Sequence, residues 1–254
     1  MRKIRYLLII PLLLIIFSCK KNKSLTKQVN VLKEVGNLKD SLESDKWTLY
    51  SNDKLVKKGS YLGGLKTGIW EYHYNDSIYK LEWDTYKYDS LNIMFNYPKN
   101  WVVKKNHEYL FLAQPIPKIP SNYCVALRYN KINKKLDLNS YLKILYEQIK
   151  NDKEEITSKY ELKKVTFSSD EIIYYGNFSS VLNNTKYLTY VFYMDYKDFI
   201  YDFSYKTLRN NNHDIVNKAI FGDIIYSIFI NNKKIFHDKY IKEIDLVNLV
   251  DLAN

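Results

Sequence analysis

Residues 59–70 read GSYLGGLKTGIW, and they decide the predicted fold of the first half of the chain. Their glycines allow the backbone to turn back or to take a positive φ angle. A repeat surrounds them, since WTLYSNDKL from Trp47 lines up with WEYHYNDSI from Trp70 at an offset of 23 residues. Asn-Asp between two apolar runs is a tight-turn signal. We therefore expect successive β-hairpins in residues 47–86.

The spacing Gly-x-Tyr at Gly59, followed by Gly-x-x-x-Gly-x-Trp ending at Trp70, resembles the membrane occupation and recognition nexus (MORN) repeats, especially their YwqK-like variant. The resemblance covers residues 47–86, which is short for an independent solenoid because about three or more repeats are normally needed. The YwqK-like variant is antitoxin-like. The resemblance therefore implies an antitoxin or immunity protein as one alternative function.

Aromatic residues of this repeat form a candidate binding face. The side chains of Trp70, Tyr72 and Tyr74 lie on one side of their predicted strand, because successive residues of a strand alternate. Together with Trp47 they could stack against a sugar or a lipid headgroup. The alternative is an aromatic stripe packed within the sheet, since large aromatic side chains are typically buried.

A second domain is predicted over residues 87–230. An apolar strand at residues 91–96 leads into Tyr97-Pro98-Lys99-Asn100-Trp101, where the proline ends the strand. This aliphatic strand with Tyr-Pro-x-x-Trp resembles the opening of PsbP-like domains, the fold shared with DcrB-like lipoproteins. The resemblance implies an α+β fold, with an antiparallel sheet flanked by helices in an α/β/α sandwich. It also implies binding of proteins or ions rather than turnover of a substrate.

Two helices are predicted in this domain, the first after its opening strands and the second at its end, with a strand meander between them. Asp137 can cap a first helix with one apolar face. Asn211, Asn212 and Asp214 offer caps for a final helix that runs to about residue 228. Loosely helical spacing of apolar residues also predicts short helices within residues 31–42 and within the tail, residues 231–254.

The N-terminus resembles a bacterial lipoprotein signal peptide. A basic region is followed by the apolar residues 7–17 and by Ile16-Phe17-Ser18-Cys19, which reads as a cleavage site. The resemblance implies that residues 1–18 are removed and that Cys19 is acylated, so that residues 19–46 form a lipidated tether. A membrane-spanning helix is the alternative, but it needs about 20 apolar residues.

The predicted location is the cell envelope of a Bacteroidetes-type bacterium, with the protein anchored in the outer membrane and facing the periplasm. Lys20 instead of aspartate after the acylated cysteine favours outer-membrane sorting in related bacteria, and the absence of acidic residues there disfavours surface export. Removal of three basic residues with the leader lowers the net charge from +11 to +8. This charge suits an anionic membrane or an acidic partner, while no compact basic run indicates nucleic-acid binding.

The residues that could carry catalysis or hold a metal are dispersed. No histidine lies in a metal-binding spacing; the four are His73, His107, His213 and His237. Asp195, Asp198 and Asp202 are close in sequence but lack the glycine and the terminal glutamate of a calcium loop. Cys124 remains a single thiol in an apolar strand once Cys19 is acylated. We therefore expect no catalytic residue, no metal site and no cofactor.

These features predict a lipid-anchored envelope protein that acts as a noncatalytic binding or scaffolding module. Its partners would be the membrane and an envelope protein, with no nucleic acid and with a ligand that the sequence does not name. The alternatives are the antitoxin or immunity protein and an envelope hydrolase. A hydrolase would need a histidine with carboxylates, or Cys124, brought into one pocket.

Overall fold

The computed structural model describes residues 3–7, 32–74, 76–105, 111–115, 124–131, 137–151, 155–157, 161–167, 172–196, 199–209, 214–236 and 241–248. They belong to two compact units. The N-terminal unit comprises Met1–Asp89 and Met94–Lys99, and the C-terminal unit comprises Ser90–Ile93 and Asn100–Asn254. The domain boundaries at residues 46 and 86 remain predictions.

The N-terminal unit is a sheet whose strands follow one another in chain order, with antiparallel pairing from β1 through β6. The strands are β1 (Lys3–Leu7), β2 (Leu32–Lys39), β3 (Leu42–Ser51), β4 (Lys54–Leu62), β5 (Leu65–Tyr74), β6 (Ser77–Tyr88) and β7 (Ile93–Pro98). A single 3-10 turn, Asp89–Leu91, separates β6 from β7.

Two-residue turns with positive φ angles connect these strands. Asn52 and Asp53 have φ angles of 49° and 61°, and Gly63 and Gly64 have 57° and 80°. Positive φ at both turn positions is what the twist of a tight hairpin requires, so the turn predicted at Asn-Asp is confirmed. Asp40 and Ser41 make an equivalent turn. The short helix expected within residues 31–42 is wrong, because this turn pairs β2 with β3.

The C-terminal unit contains a sheet in the order β18-β12-β13-β14-β15-β10-β9-β8, with β11 on β13. Its strands are β8 (Trp101–Lys104), β9 (Phe111–Pro115), β10 (Cys124–Lys131), β11 (Glu155–Ile156), β12 (Glu161–Phe167), β13 (Ile172–Leu182), β14 (Thr185–Tyr196), β15 (Phe199–Leu208) and β18 (Ile241–Asn248). A short hairpin is formed by β16 (Phe229–Ile230) and β17 (Lys233–Lys234). The meander predicted between the helices is present.

Two helices pack on opposite faces of the C-terminal sheet. Helix α1 (Leu138–Asn151) shares a buried cluster with Val191 and Tyr193 of β14. Helix α2 (Asp214–Tyr226) stacks Phe221 on Tyr190, with ring centroids 6.0 Å apart. Since Tyr190 and Val191 are neighbours in one strand, their side chains point to different faces. In the described part of the chain, neither helix is long and apolar enough to cross a membrane.

The predicted α/β/α sandwich is wrong. Strands make up 68% of the structure and helices 18%, so the fold is mostly antiparallel sheet, with a single helix on each face of the C-terminal sheet instead of helical layers. The helix expected in the tail is also wrong. Residues of the tail form β18, which pairs antiparallel with β12 from Glu161↔Asn248 to Phe167↔Ile241. This pairing satisfies the backbone groups that β12 would otherwise leave unpaired at the sheet edge.

Candidate functional site

The two tryptophans of the repeat lie flat over glycines of the preceding strand. A Cβ added to Gly59 would lie 2.2 Å from the Trp70 ring, and one added to Gly36 would lie 2.3 Å from the Trp47 ring. The Trp70 indole donates a hydrogen bond to the Ser60 carbonyl at 3.0 Å. The second glycine–tryptophan pair follows the first at the 23-residue offset of the repeat. The repeat thus begins at Gly36, upstream of the predicted start.

Burial places the candidate binding face largely inside the N-terminal unit. Trp47, Trp70 and Tyr72 are 8%, 1% and 0% exposed, and Tyr74 is partly buried. Covered rings offer no free face to a sugar or a lipid headgroup. The burial therefore favours the packing alternative for these aromatic residues.

A lysine of the chain itself occupies the space among these rings. Lys66 is 2% exposed, and its ammonium lies 2.9 Å from the centroid of the Trp70 ring. Tyr61, Tyr72 and Trp83 surround the same ammonium at 5.4–5.6 Å. The negative faces of aromatic rings stabilise a cation. A cationic ligand would find this box already filled.

Asn96 holds the backbone of this lysine in place. The Lys66 N–H donates to Asn96 Oδ1 at 2.6 Å, and Asn96 Nδ2 donates to the Lys66 carbonyl at 3.1 Å. Asn96 is fully buried and also donates to the Asp84 carbonyl at 3.2 Å. Sequence reasoning missed this arrangement. Alternation along β5 places Lys66 on the same face as Trp70, and that was the available signal.

The opposite face of β5 carries charged residues rather than a catalytic group. Glu71 pairs with Lys58 at 2.9 Å and with Lys80 at 3.3 Å. Hydrogen bonds from these two lysines hold the pKa of the Glu71 carboxyl below its usual value. His73 Nε2 lies 3.7 Å from the same carboxylate. Exposed ion pairs of this kind contribute little to stability.

The other residues considered for chemistry are not brought together where the structure describes them. Tyr141 donates a hydrogen bond to the buried Asp202 at 2.8 Å, so this carboxylate of β15 binds a side chain of helix α1. Burial, and then the charge of Asp137, raise the pKa of Asp195. Cys124 lies in β10 opposite Lys206. Five of the residues lie outside the described part of the chain: Cys19, His107, Asp198, His213 and His237. Among the described residues, no cluster of His, Cys, Asp or Glu could hold a metal ion.

A cleft of about 280 Å³ lies at one end of the C-terminal sheet. We call it the basic cleft, and it is lined by Thr157, Ser179, Ser180, Val181, Lys186, Tyr187 and Arg209. The ladder places Lys186 opposite Val181, and the Arg209 N–H donates to the Lys186 carbonyl at 3.0 Å. Arg209 Nη1 donates to Ser179 Oγ at 3.1 Å. Two basic residues and several hydroxyl-bearing residues thus line one cleft, and no lining residue carries a carboxylate.

Strand pairing explains why these distant residues meet. Ser179 belongs to β13 and Lys186 to β14, and Arg209 directly follows the last residue of β15. These three strands are adjacent in the sheet. Thr157 joins them because its N–H donates to the Ser179 carbonyl at 2.9 Å. No motif in the sequence marks this set, since it depends on the register of the sheet.

No protein-family model matches the sequence, and a search of curated proteins finds no relative. Among solved structures, the chain is similar to a protein of the PsbP class. This is the solution structure of cyanobacterial PsbP (CyanoP) from Synechocystis, with a TM-score of 0.43 and 11% identity, covering 58% of this chain and 92% of that chain.

A second similar structure is a crystal structure from Bacteroides thetaiotaomicron, with a TM-score of 0.33 and 14% identity. The match covers 55% of this chain and 45% of that chain, so this chain spans less than half of that protein. A PsbP protein is therefore among the structural neighbours. The lipoprotein and MORN resemblances remain predictions.

Proposed function

We propose that this chain is a lipid-anchored protein of the cell envelope whose C-terminal unit is a noncatalytic module that binds an anionic group. The observation that carries the proposal is the basic cleft. Lys186 and Arg209 supply positive charge there, while Thr157 and Ser179 supply hydroxyl donors. Phosphate, sulfate and carboxylate are the groups that such donors recognise.

Arg209 is prepared for this role by its surroundings. Its backbone is tied to Lys186 and one nitrogen of its guanidinium to Ser179. A guanidinium has five N–H donors in a fixed fork, so the bond to Ser179 leaves donors for a ligand. Less side-chain entropy is lost on binding when the fork is already oriented.

The composition of the basic cleft supports binding rather than turnover. Histidine and carboxylates are the groups that most often act as general acid or base. A hydroxyl nucleophile likewise needs an adjacent base. The residues that line the cleft include neither histidine nor carboxylate. The envelope partner that we propose is a component that presents an anionic group.

The anchor would be the acylated Cys19, in the outer membrane and facing the periplasm. After removal of the leader, the first described strand would be β2 from Leu32, so the tether would run from residue 20 to residue 31. Fully extended, it would reach about 40 Å. Lys3–Leu7 pairs with β2 and belongs to the predicted leader. Its removal would leave β2 at the edge of the sheet.

Calorimetric titration of the full-length lipidated protein in detergent, with pyrophosphate at low salt, tests the proposal. We expect Arg209→Met and Lys186→Met each to weaken binding about tenfold or more, because hydrogen bonds to charged groups contribute about 1.5–3 kcal/mol. The control is Lys164→Met, which removes the same charge from the opposite face of the sheet. Absent binding, or an Arg209→Met affinity equal to that of the parent protein, would refute an anion site in the cleft.

A further inference from the structure

Strand β2 carries β1, a strand of the predicted leader, on its outer side. The two strands pair antiparallel from Lys3↔Gly36 to Leu7↔Leu32. Strands β3, β4 and β5 each pair with a neighbour on both sides. Removal of the leader would leave β2 paired with β3 alone. Its outward backbone groups would then face water, and an edge of this kind is a template for another strand.

The regular part of this edge is the segment Leu32–Gly36. Directly after it the pairing of β2 with β3 shifts register, from Val35↔Thr48 to Asn37↔Ser44. Irregular pairing of this kind bends a strand and disrupts its ladder. The segment before the shift contains no proline, so each of its residues keeps a backbone N–H. It is as long as the five residues of β1 that pair with it.

A strand bound along this segment would be recognised through its backbone. Hydrogen bonds between strands require N–H groups, so the bound stretch must be extended and free of proline. Strand β1 has the sequence Lys-Ile-Arg-Tyr-Leu and meets both conditions. Its register on β2 shows the position and the antiparallel direction that the edge accepts, with Arg5 as the residue opposite Glu34.

A second copy of this chain fits the same edge less well. Full antiparallel overlap of residues 32–36 from two copies would place Glu34 opposite the Glu34 of the other copy. Like charges directly opposite each other in a sheet are destabilising, whereas opposite charges are stabilising. A different strand with a basic residue at the central position avoids this repulsion.

We infer that the mature protein binds an extended segment of a partner protein along residues 32–36 of β2, in the place that β1 occupies. The segment runs antiparallel to β2, has no proline in the paired stretch and places a basic residue opposite Glu34. The inference rests on the lipid-anchor part of the proposed function, because removal of the leader opens the edge. It does not depend on the basic cleft, which belongs to the C-terminal unit.

The probe that tests the inference is a labelled synthetic peptide with the sequence of residues 2–8, RKIRYLL. It is titrated into the mature lipidated protein in detergent, and binding is followed by fluorescence anisotropy. We expect saturable binding to the mature protein and binding about tenfold weaker or more to uncleaved Cys19→Ser, in which β1 remains attached. A covalently linked strand competes at an effective concentration of about 1 mM. Equal binding to both proteins would overturn the inference.

Two N-methylated forms of the peptide test whether it binds as a strand. In an antiparallel pair, alternate residues direct their backbone groups to opposite edges, so one alternating set of N–H groups faces β2. One form is methylated at the nitrogens of Lys3, Arg5 and Leu7, and the other at those of Ile4 and Tyr6. We expect one form to lose binding and the other to retain it. Both forms keep the charge of the side chains, so equal binding or equal loss would refute strand pairing.

Hydrogen exchange measured by mass spectrometry locates the bound peptide. We expect slower exchange within residues 32–36 of the mature protein when the peptide is present. Strand β18 is the internal control, since it is the outermost strand at one end of the C-terminal sheet, and its exchange should not change. Protection of β18 without protection of residues 32–36 would refute the site.

The outcomes keep this inference apart from the proposed function. A parent protein that retains residues 1–18 would refute both the lipid anchor and the open edge. A cleaved protein that does not bind the peptide would refute the edge as a docking site and leave the anchor and the anion site standing. A cleaved protein that dimerises through residues 32–36 without peptide would show that a second copy covers the edge, and would refute a different partner.

Discussion

At the scale of single residues, glycines make room for tryptophan rings in the N-terminal sheet. The Trp70 indole occupies the space above Gly59 in which any other residue would place its Cβ. Trp70 is thereby buried in a unit whose described residues form no α-helix, and its indole nitrogen is satisfied by the Ser60 carbonyl. Gly36 and Trp47 repeat the arrangement. The tryptophans of the repeat therefore serve its own packing.

Gly59→Ala is expected to lower the free energy of unfolding by about 2–3 kcal/mol, as overpacking of a dense site does. Gly63→Ala is the matched control. Its added Cβ would meet nothing within 4 Å, and only its φ angle of +57° opposes the change. That strain is worth about 1 kcal/mol. Urea unfolding followed by tryptophan fluorescence measures both variants. Equal losses in the two would contradict the close approach of Gly59 and Trp70.

The burial of the Lys66 side chain could not be predicted from the sequence. Alternation places it on the aromatic face of β5, but a lysine at such a position would ordinarily be expected to extend to solvent. Four rings from three strands form the box around its ammonium. Asn96, 30 residues further along the chain, holds its backbone. Neither contact follows from the local pattern of residues.

At the scale of secondary-structure elements, Asp137 shows a capping prediction that is confirmed. The Ser140 N–H donates to Asp137 Oδ1 at 2.7 Å, and the Tyr141 N–H donates to the Asp137 carbonyl at 2.9 Å. The side chain satisfies one of the donors that the first turn of a helix leaves unpaired. The backbone hydrogen bond from Ser140 is the largest cause that lowers the pKa of the Asp137 carboxyl.

Asp137→Ala is expected to lower the free energy of unfolding by about 1 kcal/mol at neutral pH, the usual contribution of an N-cap. Asp137→Asn should retain most of it, since the amide oxygen also accepts the bond. The folded pKa is depressed, so the contribution of the carboxylate is present above its ordinary pKa of 3.8 and is lost as the pH falls through the folded pKa.

Urea unfolding at several pH values measures this dependence. The parent protein should lose its advantage over Asp137→Ala in acid, whereas the advantage of Asp137→Asn should remain. An Asp137→Ala variant as stable as the parent at neutral pH would show that the Asp137 cap does not stabilise helix α1.

Three strands lie in stretches where the sequence indicated helices instead. The apolar spacing of residues 31–42 and of the tail predicted helices, yet β2, β3 and β18 lie there. Each of these strands pairs with a neighbour over most of its length. A pairing partner outweighs weak helical spacing, because isolated short helices are marginal in water.

At the scale of the whole molecule, the proposed anchor is a single covalent modification. The chain has two cysteines, and Cys19 follows the predicted leader whereas Cys124 lies in β10. Acylation of Cys19 would tie both units to a bilayer. Two acyl chains are sufficient for stable attachment, while one alone is marginal.

Cys19→Ser should abolish acylation and leader removal, and Cys124→Ser should leave both unchanged. Intact mass and membrane fractionation of both variants in a host that processes lipoproteins provide the measurement. We expect the parent protein and Cys124→Ser to carry acyl chains on residue 19. A Cys19→Ser variant that carries the same acyl mass and loses the same leader as the parent would refute the lipid anchor at Cys19.

The sequence by itself determined the features that depend on a few neighbouring residues. These include the turn at Asn52 and Asp53, the cap at Asp137 and the alternation of the meander strands, because turns, caps and strand faces are governed by local backbone conformation. The tertiary structure alone decided the basic cleft. Arg209 and Ser179 are 30 residues apart, and the register of three strands brings them together. Register depends on the pairing of the whole sheet, which no local pattern contains.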